Sequence, residues 1–138
     1  MKEYDFTGNQ VLLIDDNELN RDIAQELLLI AGLRVDIAEG GEEALHKFTY
    51  APKDTYQAIL MDIEMPVMDG YAVTQAIRTS LHPQAKNIPI LAMTGNIFHE
   101  DMEKELSAGM NAHIFKPIDT KQLYQVLQQY LGTEAQHD

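Results

Sequence analysis

Five residues able to do chemistry stand where apolar runs stop. Asp15 and Asp16 follow Val11-Leu12-Leu13-Ile14, and Asp62 follows Ala58-Ile59-Leu60-Met61. Thr94 follows Ile88 to Met93, and Lys116 follows Ala112 to Phe115. Three carboxylates brought together repel one another. Two unit charges about 4 Å apart cost roughly 4 kcal/mol at an effective dielectric of 20. Two or three such pairs consume much of a domain's margin of about 5–15 kcal/mol. Relief must come from a raised carboxyl pKa, a bound cation, or Lys116. Hard oxygen donors without His or Cys suit Mg²⁺ or Mn²⁺ rather than zinc. Mg²⁺ takes one or two carboxylates, keeps waters and accepts phosphate oxygens. Thr94 and Lys116 add a hydroxyl donor and a positive charge, a set complementary to a phosphoryl group beside a cation. Taken singly, each residue has a plainer explanation. Asp16 or Asn17 serves as a helix cap, Asp62 as a turn residue, Thr94 as a strand end and Lys116 as a surface lysine. The joint pattern is what points to a site.

That pattern requires elements that bring the run ends together. The runs before Asp15 and Asp62 read as strands buried on both faces. Leu33 to Ala38 alternates apolar and polar, as a half-exposed edge strand does, and it ends in no chemical group of this kind. Helical spacing follows each strand. The first helix begins at Asn17, with Leu19, Ile23, Leu27 and Ile30 as the core stripe and Gly32 as its cap. Leu28 falls at the border of that stripe and Leu29 off it, suited to a partner or to a neighbouring loop. Ala44, Leu45 and Phe48 face inward on the second helix. Asp69 caps the third, which carries Val73, Ala76 and Ile77. Phe98, Met102 and Leu106 mark the fourth, closed by Gly109. Leu123, Val126, Leu127, Tyr130 and Leu131 form the stripe of the fifth, opened by a capping box of Asp119 and Gln122. Strict alternation of five strands and five helices means an α/β fold with a parallel sheet covered on both faces. Right-handed crossovers then place every strand's carboxyl end on one edge, where such sheets keep their sites.

Composition narrows the function. The 138 residues are enough for one domain with a real core, and 45% are hydrophobic. No apolar stretch approaches the roughly 20 residues of a membrane span, and the N-terminus lacks a signal-peptide layout. There is no Cys, which removes thiol chemistry and points to a cytoplasmic setting. A net charge of -12 argues against direct nucleic-acid binding.

The stretches LLIDDNE, LMDIEMPVMDG, ILAMTGN and AHIFKPID, in that order, resemble the receiver domain of two-component response regulators. The likeness runs from about Gln10 to Leu131. It implies a (βα)5 flavodoxin-like three-layer sandwich with strand order 2-1-3-4-5. It implies that Asp62 is the phosphoacceptor, forming an acyl phosphate. Asp16, Asp62 and the backbone carbonyl of Glu64 would ligate Mg²⁺ (or Mn²⁺), and Asp15 would act through a metal-bound water. Lys116 and Thr94 would hold phosphoryl oxygens, and Gly95 would leave a path for phosphodonor and water. The Lys116-Pro117 bond is expected to be cis. Where many members carry Tyr or Phe as a switch partner of Thr94, this chain has His113, smaller and titratable.

MDIEMPVMDGY with GMNAHIFKPID is most similar to receivers of hybrid sensor histidine kinases. The implied partners are a sensor histidine kinase, a histidine phosphotransfer domain, or both. They would dock on the first helix and the Pro117-Ile118 loop. The face of helix four, strand five and helix five would switch, and a homodimer could form through it. No membrane contact by this domain is implied. We expect a lead-in over 1–9, the receiver over 10–132 and a polar tail over 133–138, the whole an excised piece of a longer chain rather than a free-standing regulator. The chain is read as a phosphoacceptor with self-dephosphorylation, not an enzyme. The rivals are a phosphatase of the haloacid dehalogenase type, which would want a DxD pattern after the first strand, a flavin module, which would want a phosphate-cradling loop there, and a pseudo-receiver.

Overall fold

The computed structural model describes residues 4–95 and 99–131, the segment 99–102 by its backbone only. Ten elements alternate without exception. They are β1 (Gln10–Ile14), α1 (Glu18–Ile30), β2 (Arg34–Ala38), α2 (Gly41–Tyr50), β3 (Ala58–Asp62), α3 (Gly70–Arg78), β4 (Ile90–Thr94), α4 (His99–Ala108), β5 (Ala112–Phe115) and α5 (Thr120–Leu131). The five strands pair in parallel in the order β2-β1-β3-β4-β5. β3 sits at the centre with every residue buried, and β2 is the partly exposed edge.

The strand period of two divides the core. Leu12, Ile14, Ile59, Met61, Ile90 and Ala92 pack under α2 and α3 with Phe48, Val73 and Ile77. Val11, Leu13, Leu60, Leu91, Met93 and Ile114 face the other way, onto Ala24 and Leu28 of α1 and Leu123 and Leu127 of α5. Burial on both faces is what lets these strands be apolar throughout.

Two helices turn a different face inward from the one their apolar spacing suggests. On α1 the buried residues are Arg21, Ala24 and Leu28, while Leu19, Ile23 and Ile30 are 68%, 47% and 57% exposed. Leu28, placed at the border of the stripe, lies in the core. The helix carries apolar residues on two sides, so periodicity alone does not choose between them. The small Ala24 lets the helix approach the sheet, and Arg21 finds a carbonyl there. On α4, Leu106 is exposed, and Glu105 and Ala108 are buried instead. Phe98 lies outside the described residues, as do the side chain of Met102 and the tail from Gly132.

The segment before β1 carries structure of its own. Phe6 is fully buried in the α1/α5 core, and its N–H donates to Ala31 O (2.8 Å). Tyr4 stacks on Phe6 and meets Tyr124 in a tilted contact, and the Tyr124 hydroxyl donates to Leu27 O (2.6 Å). At the start of α5 the capping box is half made. Asp119 accepts from Lys121 N (3.1 Å), but the Gln122 side chain accepts from Phe115 N (3.1 Å), tying the helix to the end of β5.

Candidate functional site

The β1–α1 loop is held at three polar groups of Asp15. Its N–H donates to Ala38 O (3.2 Å), its carbonyl accepts from Arg21 (2.9 Å), and Oδ1 accepts from Asn17 N (2.9 Å). Asn17 is the α1 N-cap, accepting from Asn20 N (2.9 Å). Capping therefore falls to Asn17, and Asp16 stays exposed on the pocket rim.

Asp62 ends β3 and is 2% exposed. Its Oδ1 accepts from Lys116 Nζ (2.9 Å) and from Glu64 N (3.1 Å). The chain must turn sharply behind it. A side chain at Gly70 would put its Cβ 2.6 Å from Asp62 O, so the position needs glycine. Val67, in the same loop, has φ +69°, a strained conformation for a β-branched residue.

Carboxylate oxygens of Asp15, Asp16 and Asp62 all lie within 4.8 Å of one another. Lys116 Nζ stands 3.6 Å from Asp15 Oδ2 as well as 2.9 Å from Asp62. The Lys116-Pro117 peptide is cis. Thr94 is buried at the end of β4, one residue beyond Met93, the register partner of Asp62, and its carbonyl accepts from Lys116 N (2.9 Å). One sheet edge thus collects Asp15, Asp16, Asp62, Thr94 and Lys116. Glu64 meets the cluster through its N–H, and its side chain is exposed.

The electrostatics follow from burial. Removal from water raises the Asp62 carboxyl, and the Asp15 charge adds to that. The Lys116 and Glu64 N–H contacts offset part of it, leaving the group pushed up to about 6. Burial alone would lower Lys116. Its bond to Asp62, with the charges of Asp62, Asp15 and Glu64, wins and holds it above the usual lysine range. One ammonium among three carboxylates leaves negative charge in excess. The donor set is oxygen only, two of its three members buried, which fits a hard divalent cation and not zinc.

His113 lies one strand further out. On β5 it pairs in register with Ala92 of β4, and its Nδ1 lies 3.4 Å from Oε2 of the buried Glu105 of α4. Its ring packs 4.8 Å from Phe115. His113 is therefore tied to α4 by a polar pair as well as packed on an aromatic ring.

Three residues went unread in the sequence: Arg21, Glu39 and Glu105. Arg21 is buried among α1 residues, and its second nitrogen reaches Glu39, just after β2, at 3.4 Å. The edge strand, expected to add nothing, thus reaches the site through Ala38 O and Glu39. The available signal was an arginine in the first turn of a helix, where the helix dipole disfavours it.

Among the described residues no helix is long and apolar enough to cross a membrane. The response regulator receiver domain profile matches residues 11–128. Hybrid signal transduction histidine kinase L of Dictyostelium discoideum is 36% identical over 129 residues, covering 93% of this chain and 8% of that protein. Two-component system protein A of Emericella nidulans is 40% identical over 124 residues, 89% of this chain and 17% of that protein. The chain therefore spans a small fraction of these curated relatives. The crystal structure of the receiver domain of a sensor histidine kinase from Pseudomonas aeruginosa PAO1, with a magnesium ion coordinated in its active site cleft, superposes with a TM-score of 0.81. It is 35% identical, over 92% of this chain and 100% of that one.

Proposed function

This chain belongs to the response regulator receiver domain family, and from that premise we propose that Asp62 is its phosphoacceptor, charged from a phosphohistidine in a hybrid-kinase phosphorelay. The observation that carries the reading is the meeting of three carboxylates within 4.8 Å with Lys116 bonded to the buried one. A carboxylate oxygen of Asp62 bonds to phosphorus as the phosphorus–nitrogen bond breaks. The imidazole leaves with that electron pair and takes up a proton. The product is an acyl phosphate. Lys116 follows the charge from the carboxylate to a phosphoryl oxygen, and the Thr94 hydroxyl donates to another. Asp15, Asp16, Asp62 and the Glu64 carbonyl would hold Mg²⁺, or Mn²⁺ in its place, which when bound supplies the positive charge the acids and the phosphoryl oxygens need.

Transfer of Lys116 and Thr94 contacts to the phosphoryl group biases β4 and its neighbours, because those contacts exist only in the charged state. His113 and Glu105 carry the change to α4, and the α4–β5–α5 face, where Leu106 is exposed, is the surface a second copy would use. The kinase or phosphotransfer histidine docks on α1. Support comes from exposed Leu19 and Ile23 beside a cavity of about 210 Å³ lined by Asn20, Ile23, Lys116, Pro117 and Ile118. The unit we assign to this work is residues 10–132 together with Phe6, set in the cytoplasm, as a phosphoacceptor that loses its own phosphate rather than a turnover enzyme.

The test is incubation with Mg²⁺ and acetyl phosphate, read by intact mass and hydroxylamine sensitivity. A gain of one phosphoryl group that hydroxylamine removes, absent in Asp62→Asn, is the expected result. Steady hydrolysis of phosphate esters with no adduct would make the chain a phosphatase. A wild-type protein inert to every phosphodonor would make it a pseudo-receiver.

A further inference from the structure

We propose that Arg21 is a positioning residue for the acidic pocket, acting through the main chain of Asp15, and this rests on the reading of that pocket as a divalent-cation site. Three observations point the same way. Arg21 is the fourth residue of α1, at the positive end of the helix dipole, where a cation is disfavoured. It is also 8% exposed, and burying a guanidinium costs further stability. Neither placement serves the helix. What the guanidinium does instead is donate from Nη1 to the Asp15 carbonyl at 2.9 Å while Nη2 reaches Glu39 at 3.4 Å.

The Asp15 carboxylate is set from its own backbone. Its N–H is tied to Ala38 O, its Oδ1 to Asn17 N, and its Oδ2 faces Lys116 at 3.6 Å. The carbonyl is the remaining polar group of its main chain, and Arg21 holds it. That carbonyl belongs to the peptide joining Asp15 to Asp16, so the same bond fixes where Asp16 leaves the strand. Glu39 orients the fork from the β2–α2 side, which links the edge strand to a pocket it does not enter. The planar guanidinium sends separate nitrogens to the two partners in a fixed fork, which the single nitrogen of an ammonium does not reproduce. Outer-shell partners of this kind alter metal affinity by about 10–100-fold when removed. Arg21 bonds the main chain of a ligand rather than its carboxylate, so the low end, about tenfold, applies.

Charge and position predict opposite signs. Removing a nearby cation would by charge alone tighten Mg²⁺ binding to three acids. Losing the anchor of the loop weakens it. The experiment is titration of Mg²⁺ alone into wild type, Arg21→Gln and Arg21→Lys by isothermal titration calorimetry. It is run well below each protein's melting point, with circular dichroism as the check on folding. We expect Arg21→Gln to bind about tenfold more weakly and Arg21→Lys, which keeps the charge but not the planar fork, to fall between it and wild type. A purely structural arginine would lower Tm and leave Mg²⁺ affinity where it was. That result, or tighter binding in Arg21→Gln, overturns the proposal. If Arg21→Gln does not fold, Arg21→Lys decides alone: wild-type affinity overturns the proposal and weakened affinity upholds it. A wild-type protein that takes up no Mg²⁺ overturns the cation reading of the pocket itself, and this proposal with it.

Discussion

Asp62→Asn removes the proposed phosphoacceptor and, in the absence of any cation, should make the protein more stable. The carboxyl of Asp62 is buried and titrates near 6 in the folded chain, against an ordinary value of 3.8. Two pH units of difference correspond to about 3 kcal/mol. The sign follows from proton uptake. Between 3.8 and 6 the folded state keeps a proton that the unfolded chain has lost. The favourable part of this linkage is present below pH 3.8 and is lost as pH rises through 6, where the full cost of the buried charge appears. Asn keeps an oxygen for Lys116 and for Glu64 N, and Lys116 still has Asp15 at 3.6 Å. The expected gain at pH 7.5 is therefore about 1–3 kcal/mol, or roughly 4–12 °C in Tm for a chain of this size. It should fall to about half at pH 5 and to roughly a fifth at pH 4, following the same linkage. The assay is urea and thermal denaturation by circular dichroism in EDTA across that pH range. Adding Mg²⁺ should then stabilise wild type by mass action and the variant far less. A variant less stable than wild type at pH 7.5 in EDTA would refute the reasoning. It would mean that the attraction of Lys116 outweighs burial and the Asp15 repulsion.

Phe6→Ala should cost about 3–5 kcal/mol by leaving a cavity between α1 and α5, read as a fall in the urea midpoint; no loss would make the lead-in dispensable. Val67→Asn should stabilise by about 1 kcal/mol, since Asn tolerates the left-handed region that Val occupies at φ +69°, and unchanged stability would mean the loop relaxes freely. Gly70→Ala should weaken both stability and Mg²⁺ affinity, because its Cβ meets Asp62 O at 2.6 Å and the backbone behind the proposed phosphoacceptor must move; calorimetric Mg²⁺ binding equal to wild type would count against that. Glu105→Gln should change amide exchange in β5 and α4 on addition of a phosphate mimic, and identical exchange in both proteins would remove Glu105 from the switch.

Several features of the molecule were legible along the chain, and they share a cause. Apolar runs that end abruptly in Asp, Thr or Lys mark buried strands and their exits, because a strand covered on both faces tolerates nothing polar until it leaves the core. Parallel pairing then brings those exits to one edge whatever the loops do. Val73, Ile77, Leu123 and Leu127 were found inward on their helices because each sits on a helix with one dominant apolar side.

Other features were decided only in three dimensions. α1 carries apolar residues on two sides, and the sheet, not the spacing, selected Ala24 and Leu28 over Leu19 and Ile23. On α4 the buried carboxylate of Glu105 took a place that polarity would have given to solvent, because His113 stands opposite it. Gln122 left its own helix cap for Phe115 N, and Arg21 left its helix for the carbonyl of Asp15. Each is a polar group satisfied by a partner distant along the chain or by main chain, and neither kind of partner leaves a periodic mark in the residues. Which chemistry gathers at the edge is written in local residue types; how firmly each acid is held there depends on bonds that exist only once the sheet and its helices have closed.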